Sequence, residues 1–205
     1  MPTKTYYNLP KEKQVKIFDA AFKEFSRVSF NRAKISNIIK KAGIPRGSFY
    51  QYFKDKKDLY FYVIENVFGK KHNQLKDLLK KHEGDIFKAS EEMFIKDLEI
   101  INKENHNFFK NLFLNLNFNL SDHLSKQKNI HRKNMNNLLE LVDKSKIERE
   151  NIKDILELIR MISKDLITMK LAKNISNGEV ISLYKKRMEI VKYGVIKNEY
   201  RSRKE

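Results

Sequence analysis

After Pro45 this 205-residue chain contains no further proline, and it has only six glycines in all. These two residues interrupt helices most strongly, so most of the chain carries little that would stop a helix. Its apolar residues recur every three or four positions rather than every second one, the spacing of a helix face and not of a strand. The expectation is an all-α protein. The chain is long enough to bury a substantial core without covalent help, and with no cysteine there is neither a disulfide framework nor a thiolate metal site. No apolar run approaches the ~18 residues of a membrane span. The opening MPTKTYYNLP has no apolar signal segment. A cytoplasmic protein with no membrane partner is expected.

A net charge of +17 suggests a polyanionic partner, and its distribution sharpens the suggestion. Residues 1 to 70 hold 15 Lys and Arg against 6 Asp and Glu, whereas residues 71 to 205 hold 28 against 20. The excess is densest in the first third, as phosphate binding with counterion release favours.

That first third contains the segment ISNIIKKAGIPRGSFYQYFKDKKDL, Ile35 to Leu59. Ile35, Ile38, Ile39 and Ala42 share one helical face, and Gly43 follows where a tight turn needs a positive φ. Pro45 suits the first turn of a second helix. Phe49 and Phe53, four residues apart, give that short helix an inner face. Arg46, Gly47, Ser48, Tyr50, Gln51 and Tyr52 are then left on or near the outside, a set able to bond phosphates and base edges. This is the layout of a helix-turn-helix with its recognition helix.

These residues resemble the amino-terminal domain of the tetracycline-repressor-like (TetR) family of bacterial transcription regulators, whose pattern is I-A-x-x-A-G-V-S-x-G-x-L/F-Y-x-Y/H-F-x-x-K-x-x-L. The matching positions run from Ile38 to Phe53 and include Lys56 and Leu59. Upstream, Val15, Phe18, Phe22 and Phe25 are expected to form the inner stripe of a preceding helix. The chain departs from the family where Ala33 and Lys34 replace a capping Ser or Thr, with Asn31 as an alternative cap, and where Pro45 replaces Ser or Thr. The resemblance implies backbone contact by Tyr50 and Lys56, whose phenol and ammonium suit phosphate oxygens. Arg46, Ser48, Gln51 and Tyr52 are candidates for base or phosphate contact. With Lys34 and Gly47 these make up the expected DNA-binding set. Lys4, Tyr6 and Tyr7 are expected to be a disordered terminus, the alternative being an arm into the minor groove.

The helix-turn-helix domain is expected to occupy residues 1–55, and a larger helical effector-binding and dimerisation domain residues 56–205. Asp55 and Asp58 open a helix expected to reach about His82, where Gly84 stops it and Asp85 caps the next. Short helices are expected over 102–125 and another over 124–142. Two long helices follow, the second opening on Ser176 and Glu179 in a capping box. Their wide apolar stripes suggest a four-helix dimer interface, with Ile155, Ile159, Ile162, Leu166, Tyr184, Met188 and Val191 as its candidates. Phe94, Phe108, Phe109, Phe113, Met135 and Met161 are candidates for lining a small-molecule effector pocket, although any single one is more often plain core.

Nothing points to catalysis. The five histidines have no metal-ligand spacing, and no paired carboxylates, glycine-rich phosphate loop or nucleophile elbow accompanies them. No cofactor, metal or catalytic residue is expected. The reading is a homodimeric, ligand-responsive regulator, a repressor binding a pseudo-palindromic operator in double-stranded DNA. A cationic adaptor binding by charge alone is the competing class, but it would need neither the Gly43 turn nor the Phe49 and Phe53 anchors.

Overall fold

The computed structural model describes residues 2–68, 71–101, 105–114, 138–145, 147 and 149–194. Among them every regular element is helical: α1 (Lys4–Tyr7), α2 (Lys11–Arg27), α3 (Ile35–Ala42), α4 (Arg46–Tyr52), α5 (Lys56–Phe68), α6 (Lys71–Lys81), α7 (Ile86–Ile100), α8 (His106–Leu114), α9 (Ile152–Lys173) and α10 (Asn177–Tyr193). A short 3₁₀ turn, Arg149–Asn151, leads into α9. Whether α5 and α6 are one continuous helix, as expected, lies outside the described residues. So does most of the helix expected over 124–142. The chain divides into two compact units, the first from Met1–Lys71 with Ile101–Ser121, the second from His72–Ile100 with Asp122–Glu205.

The first unit is built around α2, which packs against α3, α5 and α8. Its buried stripe is Gln14, Ile17, Ala20, Ala21, Glu24 and Phe25, at the three- and four-residue steps of one helix face. Val15 is not part of that stripe, being 55% exposed. It stands two residues from Ile17, about 200° around the helix at ~100° per residue. Aromatic rings fill the interior: Phe25 meets Tyr60 edge-on at 4.7 Å, and Phe22 lies 4.9 Å from Phe108. On α8, Phe108, Phe109 and Leu112 are buried, and the Asn111 amide donates to the carbonyls of Phe25 and Ser26 at 3.0 and 2.9 Å. Those carbonyls belong to the last turns of α2, where a helix runs out of its own donors.

In the second unit α7, α9 and α10 pack together. Phe94 of α7 stacks on Tyr184 of α10 with centroids 4.2 Å apart, and Leu166, Ile167, Leu171 and Val180 are almost wholly buried. Gly84 ends the preceding segment at φ 81°, and a Cβ there would come within 2.5 Å of the Asp143 backbone nitrogen. No other residue fits, because the Asp143 N–H donates to the Gly84 carbonyl at 3.0 Å. Asp85 caps α7 as expected, its Oδ1 accepting from the N–H groups of Phe87 and Lys88 at 3.0 Å. Ser176 caps α10 through Glu179 N–H. No helix among the described residues is long and apolar enough to cross a membrane.

Candidate nucleic-acid interface

The expected helix-turn-helix is present: α3, a tight turn, then α4. Gly43 adopts φ 65° and ψ 38° at the end of α3, and the Ile44 N–H returns to the Ile39 carbonyl at 3.1 Å. Pro45 stands just before α4 rather than inside its first turn, in an extended conformation with ψ 151°. Phe49 and Phe53 are both wholly buried, 5.8 Å apart, and hold the inner side of α4.

The missing Ser or Thr cap of α3 is supplied from another helix. α3 begins at Ile35 with Lys34 as its N-cap, whose own side chain makes no capping bond. Instead Glu24 Oε1 of α2 accepts from the Lys34 N–H at 3.2 Å and the Asn37 amide at 2.8 Å. Arg27 closes on the same carboxylate at 2.8 and 3.0 Å. Burial pushes this carboxyl up, but the bonds from Arg27, Asn37 and the Lys34 N–H outweigh it and hold it at about 2. Neither Asn31 nor any signal local to α3 marks this arrangement, since Glu24 in sequence looks like an ordinary surface charge.

On α4, Arg46, Gly47, Tyr50 and Gln51 are exposed and Ser48 is half-buried, so five of the six candidates on this short helix reach its surface. The Tyr50 ring is 48% exposed and sits edge-on against Phe49 at 5.1 Å. Lys34 is exposed at the start of α3. Two candidates are placed differently from expectation. Tyr52 is only 4% exposed, its ring packed edge-on to Tyr6 at 6.2 Å, because it comes one step before Phe53 at the inward end of a short helix. Lys56 turns back into the protein: its Nζ donates to the Ala33 and Asn31 carbonyls at 2.8 and 3.3 Å and lies 4.7 Å from the centre of the Phe30 ring. Burial lowers its pKa below the ordinary lysine value. Lys56 therefore ties the α2–α3 connection to α5.

The amino terminus is also unlike the expected frayed end. Lys4–Tyr7 form α1, capped by Thr3, and Tyr6 is fully buried, its hydroxyl 3.2 Å from the Gln14 carbonyl and 2.9 Å from the Tyr62 hydroxyl. Burial together with Tyr62 pushes the Tyr6 phenol well up. The buried Tyr6 ring and the Thr3 cap hold this segment, and periodicity over four residues carries no signal.

The other candidates are spread over both units. Phe108 and Phe109 are buried and Phe113 half-buried on α8 in the first unit, while Phe94 is in the core of the second. Met161 is 55% exposed, and Met135 lies outside the described residues. Of the dimer candidates, Ile159, Leu166, Tyr184 and Met188 are already buried within the second unit, and Ile155, Ile162 and Val191 are half-buried. The apolar residues left outward on α9 and α10 are Leu158, Met161, Ile190 and Tyr193, at 45%, 55%, 46% and 53% exposure.

Residues 17–63 match the family described as bacterial regulatory proteins, tetR family. Residues 85–195, more than half the chain, match the tetracyclin repressor-like C-terminal domain. The helix-turn-helix-type transcriptional regulator YvdT of Bacillus subtilis is 38% identical over 74 residues, spanning 35% of this chain and 38% of that protein. Two solved structures share the fold. The fatty acid degradation regulator FadR from Bacillus halodurans superposes with TM-score 0.62 and 19% identity over 89% of this chain and 99% of that one. The transcriptional regulator FadR from Bacillus subtilis, solved in complex with stearoyl-CoA, gives TM-score 0.61 and 17% identity over 89% and 99%.

Proposed function

The chain belongs to the tetracycline-repressor-like family of bacterial regulatory proteins, and from that premise we propose that it is a sequence-specific DNA-binding transcriptional regulator. We take the reader to be residues 1–55 and the effector-binding and dimerising part to be residues 56–205. The observation that carries the reading is α4 itself, a helix with two buried rings on one side and Arg46, Ser48, Tyr50 and Gln51 on the other. A charge-driven binder needs no such two-sided helix.

The regulator acts as a homodimer. On α9, Leu158, Met161, Ile162 and Asp165 recur at helical steps, and on α10 so do Leu183, Arg187 and Ile190. The Asp165–Arg187 ion pair joins the two rows, so they form one outward face of mixed apolar and charged groups, the composition of a dimer seam. A second copy on that face places two recognition helices on a pseudo-palindrome, with half-sites about 34 to 36 Å apart or a multiple of it. The protein represses by occupying that site and releases it when a small molecule binds the form with the wrong spacing. The acyl-CoA held by the Bacillus subtilis FadR makes a long-chain acyl thioester the first effector to try.

Selection of genomic fragments by the purified protein at ~150 mM salt, where phosphate-only binding is weak, tests the reading. Enrichment of a few pseudo-palindromic sites is expected, as is their release on adding stearoyl-CoA. Binding without enrichment would leave only the charge-driven adaptor. Sedimentation of Met161→Lys should shift the protein to monomer at micromolar concentration, and an unchanged dimer would remove this face from the interface.

A further inference from the structure

The recognition helix is seven residues long, Arg46–Tyr52, too short to hold its own geometry in water. Its amino-terminal end has no side-chain cap. At its other end the final carbonyls have no partner within the helix. Two of them are taken up from the far amino terminus of the chain. The Thr3 N–H donates to the Tyr52 carbonyl at 2.9 Å, and the Thr3 hydroxyl donates to the Gln51 carbonyl at 2.7 Å. The same hydroxyl oxygen accepts from the Tyr6 N–H at 3.4 Å, which starts α1. Tyr6, buried among Tyr7, Tyr52, Phe53 and Tyr62, fastens α1 to α2 and α5. A line of contacts thus runs from the core through Tyr6 and Thr3 to the backbone of Gln51.

We infer that Thr3 is a positioning residue for DNA reading: it braces the carboxy-terminal turn of α4 and sets the direction in which Tyr50 and Gln51 point. The inference rests on α4 being the reader. Thr3 acts on the backbone of α4 and not on the bases. Its effect passes through the Gln51 and Tyr52 carbonyls, so it should change discrimination between DNA sequences more than attraction to DNA as such, which the lysines supply.

The test compares the wild-type chain with Thr3→Val and Thr3→Ser. Valine keeps the shape and the backbone N–H but removes the hydroxyl, and serine restores it. Kd is measured for the selected operator and for a scrambled duplex, with hydrogen exchange of the α4 amides followed in the absence of DNA. Valine removes the bond to the Gln51 carbonyl together with the longer Tyr6 cap, and the loss weakens operator binding by about 3- to 10-fold. Binding to the scrambled duplex stays within twofold, Thr3→Ser recovers the operator affinity, and exchange in α4 quickens only in the valine variant. Unchanged α4 exchange in Thr3→Val overturns the brace whatever the DNA result, as does an equal fall on both duplexes. A wild-type protein that selects no operator, while Thr3→Val still quickens α4 exchange, overturns the reader and with it the role of Thr3 in reading, but leaves the brace as a structural feature.

Discussion

The two units hold their helices by different kinds of contact. In the first, short helices are tied by directed hydrogen bonds from residues far away in sequence: Glu24 on the start of α3, Thr3 on the end of α4, Asn111 on the end of α2, Lys56 on the α2–α3 connection. In the second, long helices meet through broad apolar faces centred on the Phe94–Tyr184 stack, and among the described residues their side-chain ties include surface ion pairs such as Lys81–Glu92 and Arg187–Asp165. Apolar burial is non-directional and tolerates repacking, whereas a hydrogen bond fixes an angle. A helix that must aim side chains at base edges needs the second kind of support.

The largest effects should be shared by both units, because both have cores. Phe49→Ala and Phe94→Ala each remove a ring buried to 1% exposure or less, and each is expected to lose about 3–5 kcal/mol in urea denaturation. A much smaller loss at Phe49 would mean that the reader is held by its hydrogen bonds alone. The contrast should appear with substitutions that preserve size. Glu24→Gln keeps the shape but not the charge that three donors face, and a cost of about 1–3 kcal/mol is expected. Leu166→Met in the other unit should cost less than about 1.5 kcal/mol. Reversal of that order in denaturant midpoints would break the comparison.

Acid sharpens it further. The Glu24 carboxyl sits at about 2 in the folded protein against an ordinary value of 4.5. Its stabilisation is therefore complete above pH 4.5 and is lost as the pH falls through about 2. Stability measured across this window should fall less steeply in Glu24→Gln, and high salt should leave the difference intact because the carboxylate is buried. In the second unit Glu92 is also held at about 2, by Lys81, His82 and Lys96. That cluster is solvent-facing, so the corresponding effect of Glu92→Gln should shrink as salt rises; persistence at ~1 M salt would make the two sites alike. The finest prediction separates two neighbours on α4. Tyr50→Ala should weaken binding to every duplex similarly, and Gln51→Ala should relax preference at one base pair, worth about 1–3 kcal/mol of discrimination. Equal effects on all sequences from both would remove the division between phosphate and base contact.

Much of the reader was legible because its constraints are local. Gly43 needs only its own φ, and the four-residue spacing of Phe49 and Phe53 places both rings on one side. The Asp85 and Ser176 caps bond residues two or three positions away and could be read for the same reason. Tyr52 and Lys56 were misplaced because each sits at the end of its element, where one residue of rotation or one extended side chain decides between surface and interior, and Val15 because it lies on the side of α2 away from Ile17. In α9 and α10 the apolar stripes were plain, but period alone could not say which part of a wide stripe faces its own unit. Leu166 and Tyr184 turned inward and Met161 outward.

Sequence by itself determined that this chain is helical, where the Gly43 turn and the Asp85 and Ser176 caps fall, and that a two-sided helix follows Gly43, since each depends on residues within four positions of one another. Tertiary structure alone decided that Glu24 caps α3, that Thr3 braces α4, that α8 packs on α2, and which apolar residues remain outside. Those pairings join residues from 10 to 86 positions apart. A side chain carries no mark of a distant partner until the backbone brings the two within the ~3 Å at which a hydrogen bond forms.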